Sequence, residues 1–130
     1  MTAATPLRLL LQLDAIGCAL SGVAILIANR ALASRLGGPA RLWHGLAALL
    51  IAYATTLFVA LWRPSIDPRV ARFAIVFNVA WAADSLLTAR FGWFGLTRLG
   101  AALTVTQAAA VATIAAAQWQ ALQRTNQPNT

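Results

Sequence analysis

Two carboxylates stand inside apolar runs, Asp14 in "LQLDAIGCALSG" and Asp84 in "FNVAWAADSLLTARF". A carboxylate near the centre of a bilayer costs about 2.5–3.5 kcal/mol on insertion scales, so such a group faces other helices or a wet cavity. There it can exchange a proton or bind a cation, or it can accept hydrogen bonds that hold helices together, worth roughly 0.6–2 kcal/mol each. At about 100° per residue, Asn78, Trp81, Asp84, Ser85 and Thr88 fall within about a third of one helix circumference. Asp14, Gly17, Cys18 and Ser21 share one face of another. Polar residues gathered in stripes predict inward or partner-facing seams, so Asp14, Asn78, Trp81, Asp84, Ser85 and Gln107 are the buried polar candidates.

Other chemistry is sparse. His44 is the only histidine, one turn into the second apolar run, and reads as a satisfied interfacial residue. Bis-histidine haem or a histidine metal cluster would need a second copy of the chain. Cys18 is the only cysteine, which rules out an internal disulfide and a paired-thiol redox site. No nucleophile stands beside a base at a recognisable spacing, and no glycine-rich phosphate loop is present. The expectation is a protein without cofactor, metal or enzymatic activity.

The elements that must position these residues follow from composition. Of 130 residues, 60% are hydrophobic and 10% charged, with a mean hydropathy of +0.70. Four apolar stretches, near 7–28, 42–62, 70–91 and 100–122, are each long enough to cross a hydrocarbon core of about 30 Å. They predict an all-α transmembrane four-helix bundle, up-down-up-down, in one domain, with a polar tail over 123–130. Arg8, the first apolar run and "ALAS" at Ala31 to Ser34 mimic a secretory signal. The run exceeds the usual core of about 7–15 residues, however, and Asp14 interrupts it, so it reads as a mature first helix.

The breaks between runs carry helix punctuation. Gly37 or Gly38 suits the left-handed position after helix one, and Pro39 the first turn of helix two. The first helix can thus run to about Leu36. Asp67 is the expected N-cap of helix three, with Pro68 at its first position, and Thr97 suits the N-cap of helix four. Tryptophan prefers the headgroup level, and Trp43 with Trp93, and Trp62 with Trp119, form two interface belts. Trp81 lies apart from both, at mid-span.

The charge is +7, from ten arginines and no lysine. Such a balance in a soluble chain would suggest nucleic acid. Here the arginines flank the apolar runs, which predicts anionic lipid headgroups as partners and no nucleic acid. Arg8, Arg63, Arg69, Arg72 and Arg124 fall on the side of the termini, and Arg30, Arg35, Arg41, Arg90 and Arg98 on the other. The positive-inside rule is therefore tied and leaves orientation open.

Depth along the spans, at about 1.5 Å per residue, sets Asp14 level with Asn78 and with Thr55 or Thr56, and Asp84 level with Gln107. Two separate clusters are expected: Asp14 with Asn78 and the helix-two threonines, and Asp84 with Gln107 and His44. Helix four, dominated by alanine, reads as a close-packing face against neighbours or a second protein.

"LDA" at Leu13 to Ala15, Ser21-Gly22, the Leu36-Gly37-Gly38-Pro39 step, and Asn78 with Trp81 together resemble a set of small four-span bacterial membrane proteins. That resemblance implies the fold and a multi-pass location in the bacterial cytoplasmic (inner) membrane, and carries no activity. The chain is also similar to the small multidrug resistance transporters, in its four helices and an acid inside helix one. This likeness implies proton-coupled transport with Asp14 as the exchanging carboxylate and Trp81 and Tyr53 as aromatic contacts for a lipophilic cation. Asp in place of the usual Glu, the second acid Asp84, longer spans and more basic connections depart from it. The favoured expectation is a protein acting through helix–helix contacts, as accessory or assembly partner of a membrane complex or as a homo-oligomer.

Overall fold

The computed structural model describes residues 4–127. Four helices make up nearly all of it: α1 (Ala4–Leu36), α2 (Ala40–Leu61), α3 (Pro68–Phe91) and α4 (Arg98–Thr125), with a 3₁₀ turn at Trp93–Gly95 before α4. Successive helices run antiparallel. α1 packs along α2 and α4, and α4 along α3, whereas α2 and α3 barely approach each other. The result is an all-α up-down bundle with three closed seams and one open seam. All four helices are long and apolar enough to cross a membrane, so by helix length and hydropathy this is a multi-pass membrane protein.

Packing follows from side-chain size. The interior is built largely from small residues, with Ala15, Ala47, Ala54, Ala71, Ala74, Ala108 and Ala115 buried, while Leu20, Ile27, Val59, Val76 and Leu99 project outward. Large apolar groups outside and small ones inside suit a hydrocarbon solvent, where close backbone approach rather than water exclusion drives association. A Cβ on Gly22 would stand 2.7 Å from Cγ1 of Ile51, so α1 and α2 meet closely at that residue. The inward face of α1 therefore runs through Leu11, Asp14, Ala15 and Gly22, and Gly17 and Ser21, expected beside Asp14, lie exposed.

The helix ends differ in detail from the expected spans. α1 continues eight residues past the apolar run that ends at 28, to Leu36 as the Gly37-Gly38-Pro39 step predicts, whereas α4 runs to Thr125, so part of the expected polar tail is helical. Pro128 to Thr130 lie outside the described residues. Asp67 stands at the N-cap of α3, its carboxylate accepting a 2.9 Å hydrogen bond from the Arg69 N–H, with Pro68 at the first position. Thr97 caps α4 by accepting from the Gly100 N–H at 3.1 Å. Trp43 and Trp93 fall at the end of the bundle away from the chain termini, and Trp62 and Trp119 toward the other.

Each end of the bundle carries a clasp. On the side away from the termini, the Thr97 N–H donates to the Leu36 carbonyl at 2.9 Å within a short antiparallel bridge of Gly37 to Leu96. The Thr97 hydroxyl donates to the Arg35 carbonyl at 2.9 Å, and the Trp43 indole N–H to the Gly37 carbonyl at 3.0 Å. On the termini side, the Arg8 guanidinium donates to the carbonyls of Leu61 at 2.8 Å, Arg63 at 2.9 Å and Pro64 at 3.0 Å. It thereby serves acceptors that the end of α2 leaves open. Arg8→Gln is expected to lower stability in detergent by about 1–2 kcal/mol, with Arg8→Lys keeping part of it. Equal unfolding midpoints for Arg8→Gln and the parent would refute the clasp.

Candidate functional site

The centre of the bundle is a polar knot around Asp14. Its Oδ2 accepts three hydrogen bonds, one from each of the other helices: the Tyr53 hydroxyl of α2 at 2.7 Å, Asn78 Nδ2 of α3 at 2.8 Å and Gln118 Nε2 of α4 at 2.9 Å. Asn78 Nδ2 also donates to Gln118 Oε1 at 3.1 Å. The Cys18 thiol, one turn along α1, stands 3.6 Å from Asp14 Oδ1 as a weak donor. Asp14 is 6% exposed, Asn78 and Tyr53 3% and Gln118 0%. Every donor that reaches this carboxylate is neutral, and among the described residues no buried side-chain polar atom lacks a partner.

Local packing holds these groups in place. Leu7, Leu11 and Ala15 of α1, Leu57 of α2, Ala71 and Ala74 of α3, and Ala121 and Leu122 of α4 form the apolar layer around the knot. The Tyr53 ring stacks on Phe77, with centroids 3.9 Å apart and planes 9° from parallel, and Phe77 stacks on Trp81 at 5.9 Å. This ladder of rings is how α2 and α3 touch across the open seam at mid-span.

A second polar group ties α3 to α4. The Trp81 indole N–H donates to Gln107 Oε1 at 3.0 Å, and Gln107 Nε2 donates to the Ser85 hydroxyl at 2.8 Å and to the Thr104 carbonyl at 2.9 Å. Trp81, Ser85 and Gln107 are thus brought together. Outside these groups, the outer face between α3 and α4 carries shallow apolar grooves, one of them lined by Ala82, Ala112, Ala115, Ala116 and Trp119.

Three expectations need correcting. Asp84 does not join Gln107: it is exposed on the outside of the bundle and forms no hydrogen bond or ion pair with any described residue. The reason is rotational, because Asp84 lies six residues from Asn78, about 120° round α3 from the inward line of Ala71, Asn78 and Ser85. Thr55 and Thr56 do not reach Asp14; they are exposed and donate back to the Ile51 and Ala52 carbonyls of their own helix, at 2.8 and 2.9 Å. His44 is exposed and does not contact Asp84.

Sequence reasoning paired Asp14 with Asn78 but missed Gln118, and it took Tyr53 only as a contact for a cation. Gln118 sits in "AAAQWQAL", beside Trp119 and close to the expected end of helix four, where a polar residue needs no buried partner. The signal that could have found it was its spacing, since Ala108, Val111, Ala115, Gln118 and Leu122 share one face of α4.

The fold and this site define a class: a small four-span membrane protein whose helices are fastened by a buried carboxylate shared among all four. Comparison with known proteins finds no matching family model, no matching curated protein and no matching solved structure, so no family is identified.

Proposed function

We propose that this chain acts through helix–helix contacts, as an accessory or assembly partner of a larger membrane complex or as a homo-oligomer, without enzymatic activity and without a cofactor. On this reading it resides in a bacterial cytoplasmic membrane, with anionic lipid headgroups around its flanking arginines and no nucleic acid. One observation carries it: Asp14, the residue best suited by type and depth to exchange chemistry, is almost fully buried and holds three hydrogen bonds from three helices. A carboxylate so tied acts as a structural fastener. The alanine-rich outer surface of α4 offers further close-packing area to a neighbour.

The test separates this from proton-coupled transport through Asp14. Native membranes are extracted in lipid discs, the oligomeric state and the side of each terminus are determined, and vesicles holding the purified protein are assayed for proton-driven exchange of a lipophilic cation, tetraphenylphosphonium. The expected result is one orientation, a stoichiometric partner or a defined homo-oligomer, and no exchange above protein-free vesicles. Exchange that Asp14→Asn abolishes, together with an antiparallel dimer, would replace the reading with transport.

A further inference from the structure

We propose that the face of α3 around Asp84 is a docking surface for a transmembrane helix of another protein, one that carries a basic side chain at matching depth. The inference rests on the helix-contact reading above and names the face and the chemistry of the partner. Asp84 lies seven residues before Phe91, about 10 Å along the axis from the end of α3, and so within the span. It is exposed and unpaired among the described residues. A carboxylate left at that depth against lipid is costly, which calls for a group outside this chain to cover it.

The surroundings say what kind of group. Trp81 is one turn before Asp84 and Phe77 two turns before, so the carboxylate continues the face of α3 whose rings stack toward Tyr53 of α2. Beside it the seam between α2 and α3 is open, and Leu49 of α2, one turn from Tyr53, is also exposed. Apolar and aromatic flanks around one acidic group match an apolar helix bearing one cation. The cation does not come from α3 itself, because Arg90, six residues on, lies over the Phe91 ring at 5.6 Å. A second copy facing this surface about a two-fold axis would set Asp84 near Asp84. Of the basic side chains on α2, His44 lies nine residues from Tyr53, about 180° round the helix, and Arg41 twelve residues from it, about 120° round and in the first turn at the end of the span, so neither sits on the seam at the depth of Asp84. Charge complementarity therefore points to a foreign helix.

The probe is a dye-labelled leucine–alanine peptide of about 22 residues with one lysine about seven residues from one end of its apolar segment, and a control with leucine at that position. Association with the labelled full chain is read by energy transfer in phosphatidylcholine vesicles. The lysine peptide is expected to bind at least about tenfold more tightly than the control, and Asp84→Asn and Asp84→Leu are each expected to remove that difference while helix content stays unchanged. Equal binding of the two peptides, or a lysine preference that survives both substitutions, overturns the proposal. So does a wild-type dimer that Asp84→Asn dissolves, which would make a second copy the occupant. A flat peptide result beside a stoichiometric partner in the native preparation removes this face alone, whereas loss of both removes the helix-contact reading as well.

Discussion

Replacing Asp14 with alanine is expected to destabilise the bundle by about 2–4 kcal/mol, measured by reversible unfolding in mixed micelles. The substitution leaves the Tyr53 hydroxyl and Gln118 Nε2 without their acceptor, while Asn78 keeps Gln118 Oε1. Each stranded buried donor costs about 1–3 kcal/mol, and the total is moderated because polar groups of a membrane-embedded unfolded chain find other partners. Asp14→Asn retains one acceptor oxygen and is expected to lose about half as much. Tyr53→Phe removes a single donor and preserves the ring stack on Phe77, for about 0.5–1.5 kcal/mol. Because Gln118 bonds both Asp14 and Asn78, the double substitution Asp14→Ala with Gln118→Leu should cost less than the sum of the two alone. Strict additivity, or a Tyr53→Phe loss larger than that of Asp14→Ala, would show that the knot does not fasten the helices.

Gly37→Ala should cost about 3 kcal/mol, and Gly92→Ala only about 1 kcal/mol, although both glycines have positive φ, +86° and +67°. The difference is steric. A Cβ on Gly37 would stand 2.5 Å from the Gly95 carbonyl oxygen and 2.9 Å from both Leu96 Cα and Thr97 N, all backbone atoms that cannot swing aside. A Cβ on Gly92 meets nothing within 4 Å, so that substitution pays only for its left-handed backbone. The same contrast should be visible in amide exchange. The Thr97 N–H, which donates to the Leu36 carbonyl, should exchange faster in Gly37→Ala and stay protected in Gly92→Ala. Equal costs for the two substitutions would mean that the connections are not clasped together.

Much of this architecture is legible in the residues because the signals for it are local. Apolar run length set the four helices, and Gly37 with Gly38, Asp67 with Pro68, and Thr97 marked where they end and begin through backbone groups a few residues away. The link of Asp14 to Asn78 was also readable, since two polar groups at one depth in hydrocarbon have few alternatives. Rotation about the helix axis was harder to read. In water an apolar stripe points inward, but here both sides of every helix are apolar, and the inward side is chosen by small residues such as Ala71, Ala74 and Ala82. The polar stripe from Asn78 to Thr88 was therefore correctly drawn, yet its outer edge, with Asp84, fell outside the bundle. Tyr53 escaped as a partner of Asp14 for a related reason: side-chain reach across a seam depends on helix tilt, which residue spacing does not encode.

The hydrogen bond from Gln118 to Asp14 joins positions 104 residues apart. During synthesis at about 5–20 residues per second, the first helix must therefore wait roughly 5–20 s before its last companion is made. For that interval Asp14 sits in the translocation machinery or the bilayer with an incomplete set of donors. Chains halted short of residue 118 lack this donor, leaving Asp14 Oδ2 with those of Tyr53 and Asn78 alone.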